Sequence, residues 1–331
     1  MTTLVAIVEP ETAGDPMSDR RWVRSSLRSL SRRLAEAGHQ ASPPTVRRLL
    51  HDLGLGLHAN AKQVEGRATH PDRDTQFQYI ARQRATFTAA GLPQVSVDSK
   101  KKELVGNFRN AGRAWNRAAD AVNVHDFPAD ALGRAVPYGI YDLTRNQGSV
   151  YVGQSADTPR FAVEALVRWW VHAGQPAYPT AREVLVLADA GGSNSAQSRV
   201  WKQQLQEQVC DRFGLSVTVC HYPTGCSKWN PIEHRLFGPI SLNWAGQPLR
   251  TWETLVGYVR GTTTTTGLQV QAQLLEGTYA TGERVSDADM DRLNLQRHAV
   301  CPGWNYTLRP RPGADAAGGA STAEARREVV S

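Results

Sequence analysis

The stretch Val184-Leu185-Val186-Leu187-Ala188-Asp189-Ala190-Gly191-Gly192-Ser193-Asn194 sets the fold class of this chain. Its unbroken aliphatic run predicts a strand buried on both faces, the kind that lies inside a sheet covered by helices. The strand ends in an acid. The small residues that follow let backbone pass close to a ligand, or turn tightly into a helix capped by Asn194 or Ser195. No Gly-Lys-Ser/Thr follows, so the loop is not a nucleotide-binding P-loop.

Outward from this strand the periodicity alternates. Val95 and Val97 lead to Asp98 in a short strand introduced by Pro93. Val136–Leu143 and Ser149–Gly153 read as two strands around a turn at Asn146-Gln147-Gly148. Phe161, Ala165, Leu166, Trp169 and Trp170 form one helical face, and Val200, Trp201, Leu205 and Val209 form another. Leu215–Cys220 is a further strand, and a helix is expected after Pro231. Antiparallel strands therefore come first and βαβ units follow, which predicts a mixed sheet with helices on its faces. That order matches a ribonuclease H-like arrangement.

Toward the N-terminus, Leu27, Leu30 and Leu34 recur at helical spacing up to Gly38. A second helix starts after Ser42 and Pro43, carries Val46, Leu49, Leu50 and Leu53, and stops at Gly54. This is the shape of a helix-turn-helix with Arg47 and Arg48 opposite the core; a plain helical hairpin is the competing reading. The expected organisation is an all-α helix-turn-helix module at 18–60, a helical connector at 61–90 and an α/β domain at 91–308. The segment 309–331, with too few apolar residues to pack, is expected to be a disordered tail.

The chain has 331 residues and a formal net charge of +7. Between Asp19 and Asp74 eleven basic residues face six acidic ones, a local excess of positive charge that suits a nucleic-acid footprint or a solvated basic surface. Cys210, Cys220, Cys226 and Cys301 show neither a CxxC pair nor regular spacing, which argues against a zinc site and against a disulfide framework. There is no apolar run of membrane-spanning length and no signal-peptide pattern, so a cytoplasmic protein with reduced thiols and without a membrane partner is expected.

Three acids stand where a core element meets a loop: Asp98, Asp189, and Glu233 at the start of the helix after the last strand. An isolated acid at a strand end is usually a cap or turn residue. Three on this order of elements can converge, and converging carboxylates are costly unless cations neutralise them. Hard oxygen ligands favour Mg²⁺ or Mn²⁺ over zinc. Two such ions, about 4 Å apart, would activate a water or 3′-hydroxyl and stabilise the leaving oxygen of a phosphodiester. Lys100, Lys101 and Lys102 follow Asp98 and are placed for phosphates, or else form an exposed charged turn. Trp169, Trp170 and Trp201 read as packing. Trp229, in the loop before Glu233, reads as packing or as a platform for a base.

The segments Val95-Ser96-Val97-Asp98-Ser99-Lys100-Lys101-Lys102-Glu103, Leu187-Ala188-Asp189-Ala190-Gly191-Gly192-Ser193-Asn194 and Ser227-Lys228-Trp229-Asn230-Pro231-Ile232-Glu233-His234-Arg235 resemble the three catalytic blocks of the Rhodopirellula-type DDE transposases. These belong to bacterial insertion sequences and are distant relatives of the mariner-like superfamily. His125-Asp126-Phe127-Pro128, Pro137–Asp142, the threonine run 262–266 and Trp304-Asn305-Tyr306-Thr307 extend the resemblance over nearly everything before the tail.

The resemblance implies a ribonuclease H-like core, cleavage of element ends with Mg²⁺ or Mn²⁺ (two ions), and strand transfer into target DNA by a homo-oligomer on paired ends. Asp98, Asp189 and Glu233 would be the catalytic and metal-binding triad. Asn230 and His234 flank the third acid and would orient it or a phosphate, with Asn194 in support; a surface or packed histidine is the competing reading for His234. Arg47, Arg48, Lys100, Lys101, Lys102 and Lys228 would contact DNA. Members of the family usually carry a further N-terminal helix-turn-helix, whereas this chain opens with Met1-Thr2-Thr3-Leu4-Val5 in what looks like the inter-helical region. An N-terminal truncation is therefore expected, affecting end recognition and leaving the chemical site intact. Two other readings stay open: a catalytically decayed DNA-binding remnant, and a ribonuclease H-like nuclease that does not transpose.

Overall fold

The structure, a computed structural model, describes residues 1–14, 21–23, 25–57, 70–114 and 116–313, with the side chains of 11–14 and 21–22 left undescribed. Two compact units divide the chain, residues 1–66 and 67–331.

In the first unit, α1 (Thr2–Val8) precedes a short antiparallel pair, β1 (Thr12–Gly14) and β2 (Arg21–Val23), and the helices α2 (Leu27–Glu36) and α3 (Pro43–Asp52) follow. Ser26 caps α2 by accepting from Ser29 N, and Pro43 opens α3 with a φ already suited to a helix. Leu4, Val8, Leu30, Leu34 and Val46 bury together, so residues ahead of the expected boundary at 18 belong to this core. The unit is not all-helical, because β1 and β2 pair within it.

The second unit opens with α4 (Arg73–Ala89), expected as a connector. It packs Ile80 and Phe87 against Leu185, Leu187, Cys220 and Tyr222, and so forms part of the α/β domain. The strands are β3 (Gln94–Ser99), β4 (Glu103–Val105), β5 (Gly133–Asp142), β6 (Gln147–Gly153), β7 (Glu183–Asp189), β8 (Ser216–Tyr222), β9 (Gln269–Leu275), β10 (Leu295–Arg297) and β11 (Asn305–Leu308). They form a mixed sheet in the order β10-β11-β8-β7-β3-β5-β6-β9, with β4 paired to β5. β3, β7 and β8 run parallel, while β5 is antiparallel to both β3 and β6.

Alternation along β7 places the helices. Val184, Val186 and Ala188 join the core under α5 (Pro159–Trp169) and α7 (Arg199–Leu205), while Leu185 and Leu187 join that under α4. Successive side chains of a strand point to opposite faces, so one aliphatic run supplies two cores. Trp169, Trp170 and Trp201 are buried in the first of them. Short α6 (Gln175–Ala177) ends the segment after α5. On the far face α8 (Gly238–Asn243) and α9 (Trp252–Arg260) contribute Ile240, Leu255, Val256 and Val259 to a separate core with Val150 and Val152; α10 (Asp287–Asp291) lies before β10.

Several expectations move. The turn joining β5 and β6 falls at Leu143–Asn146, where Asn146 takes φ +52°, and Gln147 and Gly148 already pair in β6. Two further strands pair at the sheet margins: β9, where Gln269-Val270-Gln271-Ala272-Gln273-Leu274 alternates polar and apolar residues, and β10, which at three residues is too short to show a period. Arg309 N donates to Asn294 O, and the Arg311 guanidinium binds Asp211 at 2.7 Å, so residues 309–311 are packed rather than part of a free tail. Residues 314–331 of the expected tail lie outside the described residues, as do residues 61–69 of the connector expected at 61–90.

Candidate active site

Register brings the first two acids together. Val97 pairs with Ala188 across the parallel β3–β7 ladder, so Asp98 and Asp189 leave adjacent strands at the same edge. The third block is docked onto the same strands by a buried serine. Ser96 Oγ donates to Asn230 Oδ1 in a very short hydrogen bond and accepts from Ile232 N at 3.1 Å. The Asn230 amide donates to Asp189 Oδ1 at 3.2 Å and to Val97 O at 3.3 Å. Glu233 then begins a single π-helical turn, Glu233–Phe237, whose Gly238 N–H closes back onto Glu233 O. Widened turns of this kind re-aim side chains and are frequent at functional sites.

Close approach of that turn to the sheet requires a glycine. Gly139 is the register partner of Asp98, and a Cβ placed there would lie 2.6 Å from the Phe237 ring and 2.9 Å from Ile232.

The acids feel one another. Burial, and then the charge of Asp189, push the Asp98 carboxyl up to about 8, with Glu233 and Asp157 adding to the rise. Asp189 is pushed up to about 6 by burial, opposed by the Asn230 hydrogen bond and reinforced by Glu233. Glu233 is raised by burial, with His234 and Lys100 acting against the shift. A cation between these groups would relieve the repulsion. The donor set, carboxylates without thiol or imidazole, fits a hard divalent ion. It is not a closed cage: among the described residues no group of three or more His, Cys, Asp or Glu side chains is placed to hold a metal ion.

The other expected residues separate into distinct places. His234 Nε2 meets Lys228 O at 2.6 Å, holding the turn that precedes Glu233. Asn194 is buried and donates to Asp189 O at 3.2 Å, while its Oδ1 has no hydrogen-bond partner among the described residues. The cap of α7 is Ser198, not Asn194 or Ser195. Lys100 corrects the expectation of a free basic cluster. It is buried, pairs with Glu103 at 3.3 Å, lies 4.6 Å from the Trp244 ring centre, and its amine is lowered by burial. Lys101, Lys102 and Lys228 are exposed, as are Arg47 and Arg48 in the first unit.

Three partners are not visible in the sequence. Ser99 N donates to Asp98 Oδ1 at 2.7 Å, and Ser99 Oγ donates to Asp157 Oδ1 at 2.9 Å, which makes Asp157 a fourth acid beside the first. Ser96 is a small polar residue inside an apolar strand, a signal that invites a search for a buried partner. His221 is buried, with Nδ1 at 2.9 Å from Asp189 O and Nε2 at 3.4 Å from Tyr306 Oη. Burial lowers His221 to about 4, so at neutral pH it is uncharged and donates from Nδ1 to the backbone that carries Asp189.

Two acids thus stand at one edge of a mixed α/β sheet, with the Asn-Pro-Ile-Glu turn fixed to the same strands. The chain belongs to the family described as Rhodopirellula transposase DDE domain, which it matches over residues 3–310. No curated protein matches it. Among solved structures it is similar to the Mos1 transposase paired-end complex with left transposon end, at 13% identity over 78% of this chain and 69% of that chain, with a TM-score of 0.42. The Mos1 mariner paired-end complex with Mn gives 12% identity over 71% of this chain and 65% of that chain, with a TM-score of 0.43. These likenesses are weak, and the family match carries the assignment.

Proposed function

We propose that this chain is a DDE transposase that cuts the ends of an insertion sequence and joins them to target DNA, with Asp98, Asp189 and Glu233 as its catalytic acids. The observation that supports this most is the placement of Asp98 and Asp189 one residue past the Val97–Ala188 pair on adjacent parallel strands, with Asn230 tying the Glu233 segment to Asp189. The central strand order β6-β5-β3-β7-β8, antiparallel on one side of β3 and parallel on the other, supports a ribonuclease H-like core.

Asp98, Asp189 and Glu233 would hold two Mg²⁺ or Mn²⁺ ions, which when bound supply Lewis-acid activation of a water or 3′-hydroxyl. The chain's own part is positioning. Ser96 and Asn230 fix the third block to the strands that carry the first two acids, and His221 with Asn194 holds the Asp189 backbone. Lys101, Lys102 and Lys228 would neutralise phosphates, and α2–α3 with Arg47 and Arg48 would act as a helix-turn-helix. A homo-oligomer on paired ends follows from the same reading.

The test is nicking of DNA bearing the flanking sequences of the gene, with Mg²⁺ or Mn²⁺, comparing wild type with Asp189→Ala. Boundary nicking absent in the variant is the expected result. Binding without nicking would sink the catalytic reading in favour of a decayed DNA-binding remnant. Nicking of RNA hybrids without joining would favour a nuclease that does not transpose.

A further inference from the structure

Trp229 is 53% exposed and shares the surface with Ser227 and Lys228, while Cys226 on one side and Asn230 and Ile232 on the other are buried. It sits at the end of a 3₁₀ turn, Ser227–Trp229, that is held at both ends: Trp229 N donates to Cys226 O at 2.9 Å, and His234 meets Lys228 O. The ring is therefore kept at the surface by a turn that is itself fixed to Asp189 through Asn230.

Its neighbours form a tier. Phe77 lies edge-on to Trp229 with ring centres 6.0 Å apart, and Phe77 is again 6.0 Å from Tyr222. Tyr222 is buried and is the register partner of Asp189. The aromatic tier thus rises from the strand beside the second acid and ends in solvent beside the turn that leads to the third. Cations flank it: the Lys228 amine is 5.9 Å from the Trp229 ring centre, and the Arg73 guanidinium is 5.7 Å from that of Phe77. A rigid aromatic face with positive charge on either side suits a nucleobase with its attached phosphates, because every base offers a π-face and every linkage a negative charge.

We propose that Trp229, backed by Phe77 and flanked by Lys228 and Arg73, is a stacking platform for an unpaired base of the DNA strand whose backbone lies at the carboxylates. This rests on the DNA-processing reading above. In a fully stacked duplex the π-faces are covered by neighbouring bases, so the platform selects DNA that is frayed or distorted next to the reacting phosphate.

The full chain is tested as wild type, Trp229→Ala and Trp229→Phe by fluorescence anisotropy, with Ca²⁺ replacing Mg²⁺. The probes are a fully paired flanking-sequence duplex and the same duplex with three unpaired terminal nucleotides, one of them 2-aminopurine. Loss of one base–aromatic stack corresponds to about a 5- to 150-fold weaker binding of the unpaired-end probe by Trp229→Ala. The paired duplex should change by less than about twofold, 2-aminopurine quenching should fall, and Trp229→Phe should recover most of both. Equal affinity of wild type and Trp229→Ala for the unpaired end overturns the platform alone, as does an equal loss on both probes. Failure of wild type to bind either probe overturns the platform together with the DNA-processing reading.

Discussion

Asn230 donates from Nδ2 to Asp189 Oδ1 at 3.2 Å while its own Oδ1 accepts from Ser96, so one buried amide joins the second acid, the first strand and the third block. Asn230→Ala would leave the Ser96 hydroxyl short of a partner inside the core and free the Glu233 turn from the sheet. A loss of about 1–3 kcal/mol in stability is expected, read by denaturant unfolding. Nicking should fall by more than tenfold; an unchanged rate would mean that the amide does not position the acids.

Asp98 ties stability to pH in the absence of metal. Its carboxyl is held at about 8 in the fold, against a value near 3.8 when exposed, so between these limits the unfolded chain is deprotonated while the folded one keeps its proton. The unfolded state therefore binds fewer protons, and stability falls as pH rises. Asp189, held at about 6, acts with the same sign below that pH, whereas His221, lowered to about 4, makes stability rise between about 4 and 6.5. Over pH 6.5–8 Asp98 alone of the three still titrates. Thermal melting in EDTA should show Tm declining over that window, and Asp98→Asn should flatten the decline. A slope unaltered in the variant would assign it to another group.

Metal should reverse that loss. An ion that binds the folded acids and not the unfolded chain stabilises by mass action, and Mn²⁺ or Mg²⁺ at pH 8 should raise Tm by about 2–4 °C for each kcal/mol gained. Asp189→Ala should remove most of the rise. A rise of equal size in that variant would place the ion elsewhere.

Gly139→Val is expected to separate docking of the third block from chemistry at the acids. The new side chain would meet Phe237 and Ile232, which pack against this point of β5. Overpacking costs about 1–3 kcal/mol, and nicking should drop more than stability does, because Glu233 begins the displaced turn. Equal stability and full nicking would show that the turn has room to shift.

In the first unit, Arg47→Ala with Arg48→Ala should lower the slope of log affinity against log salt by about two, roughly one for each phosphate left without its arginine. An unchanged slope would leave α2 and α3 as a helical hairpin that does not touch DNA.

Much of this architecture is legible in the chain. Val184–Leu187 reads as a two-faced strand because its aliphatic side chains must all be buried, and the small residues after Asp189 mark a backbone turn at its end. Glu233 is legible as an acid at a helix start and within the third block, but its connection to Asp189 is not, because that connection runs through Asn230, 41 residues beyond Asp189, and a serine hydroxyl in another strand. Asp157 is illegible for the same reason: nothing local distinguishes it from any acid ahead of a helix.

What the sequence determined by itself is local: the alternation that makes strands, the proline and serine signals that start helices, and the three acidic blocks that mark the family. The tertiary structure decided which residues meet. Register brings Asp98 beside Asp189, the shape of Gly139 lets the Glu233 turn reach the sheet, and burial turns Lys100 from a candidate phosphate ligand into a partner of Glu103. The physical reason is range. Backbone preference and hydrophobic period act over a few residues, whereas hydrogen bonds, desolvation and charge repulsion act between whatever groups the fold has brought close.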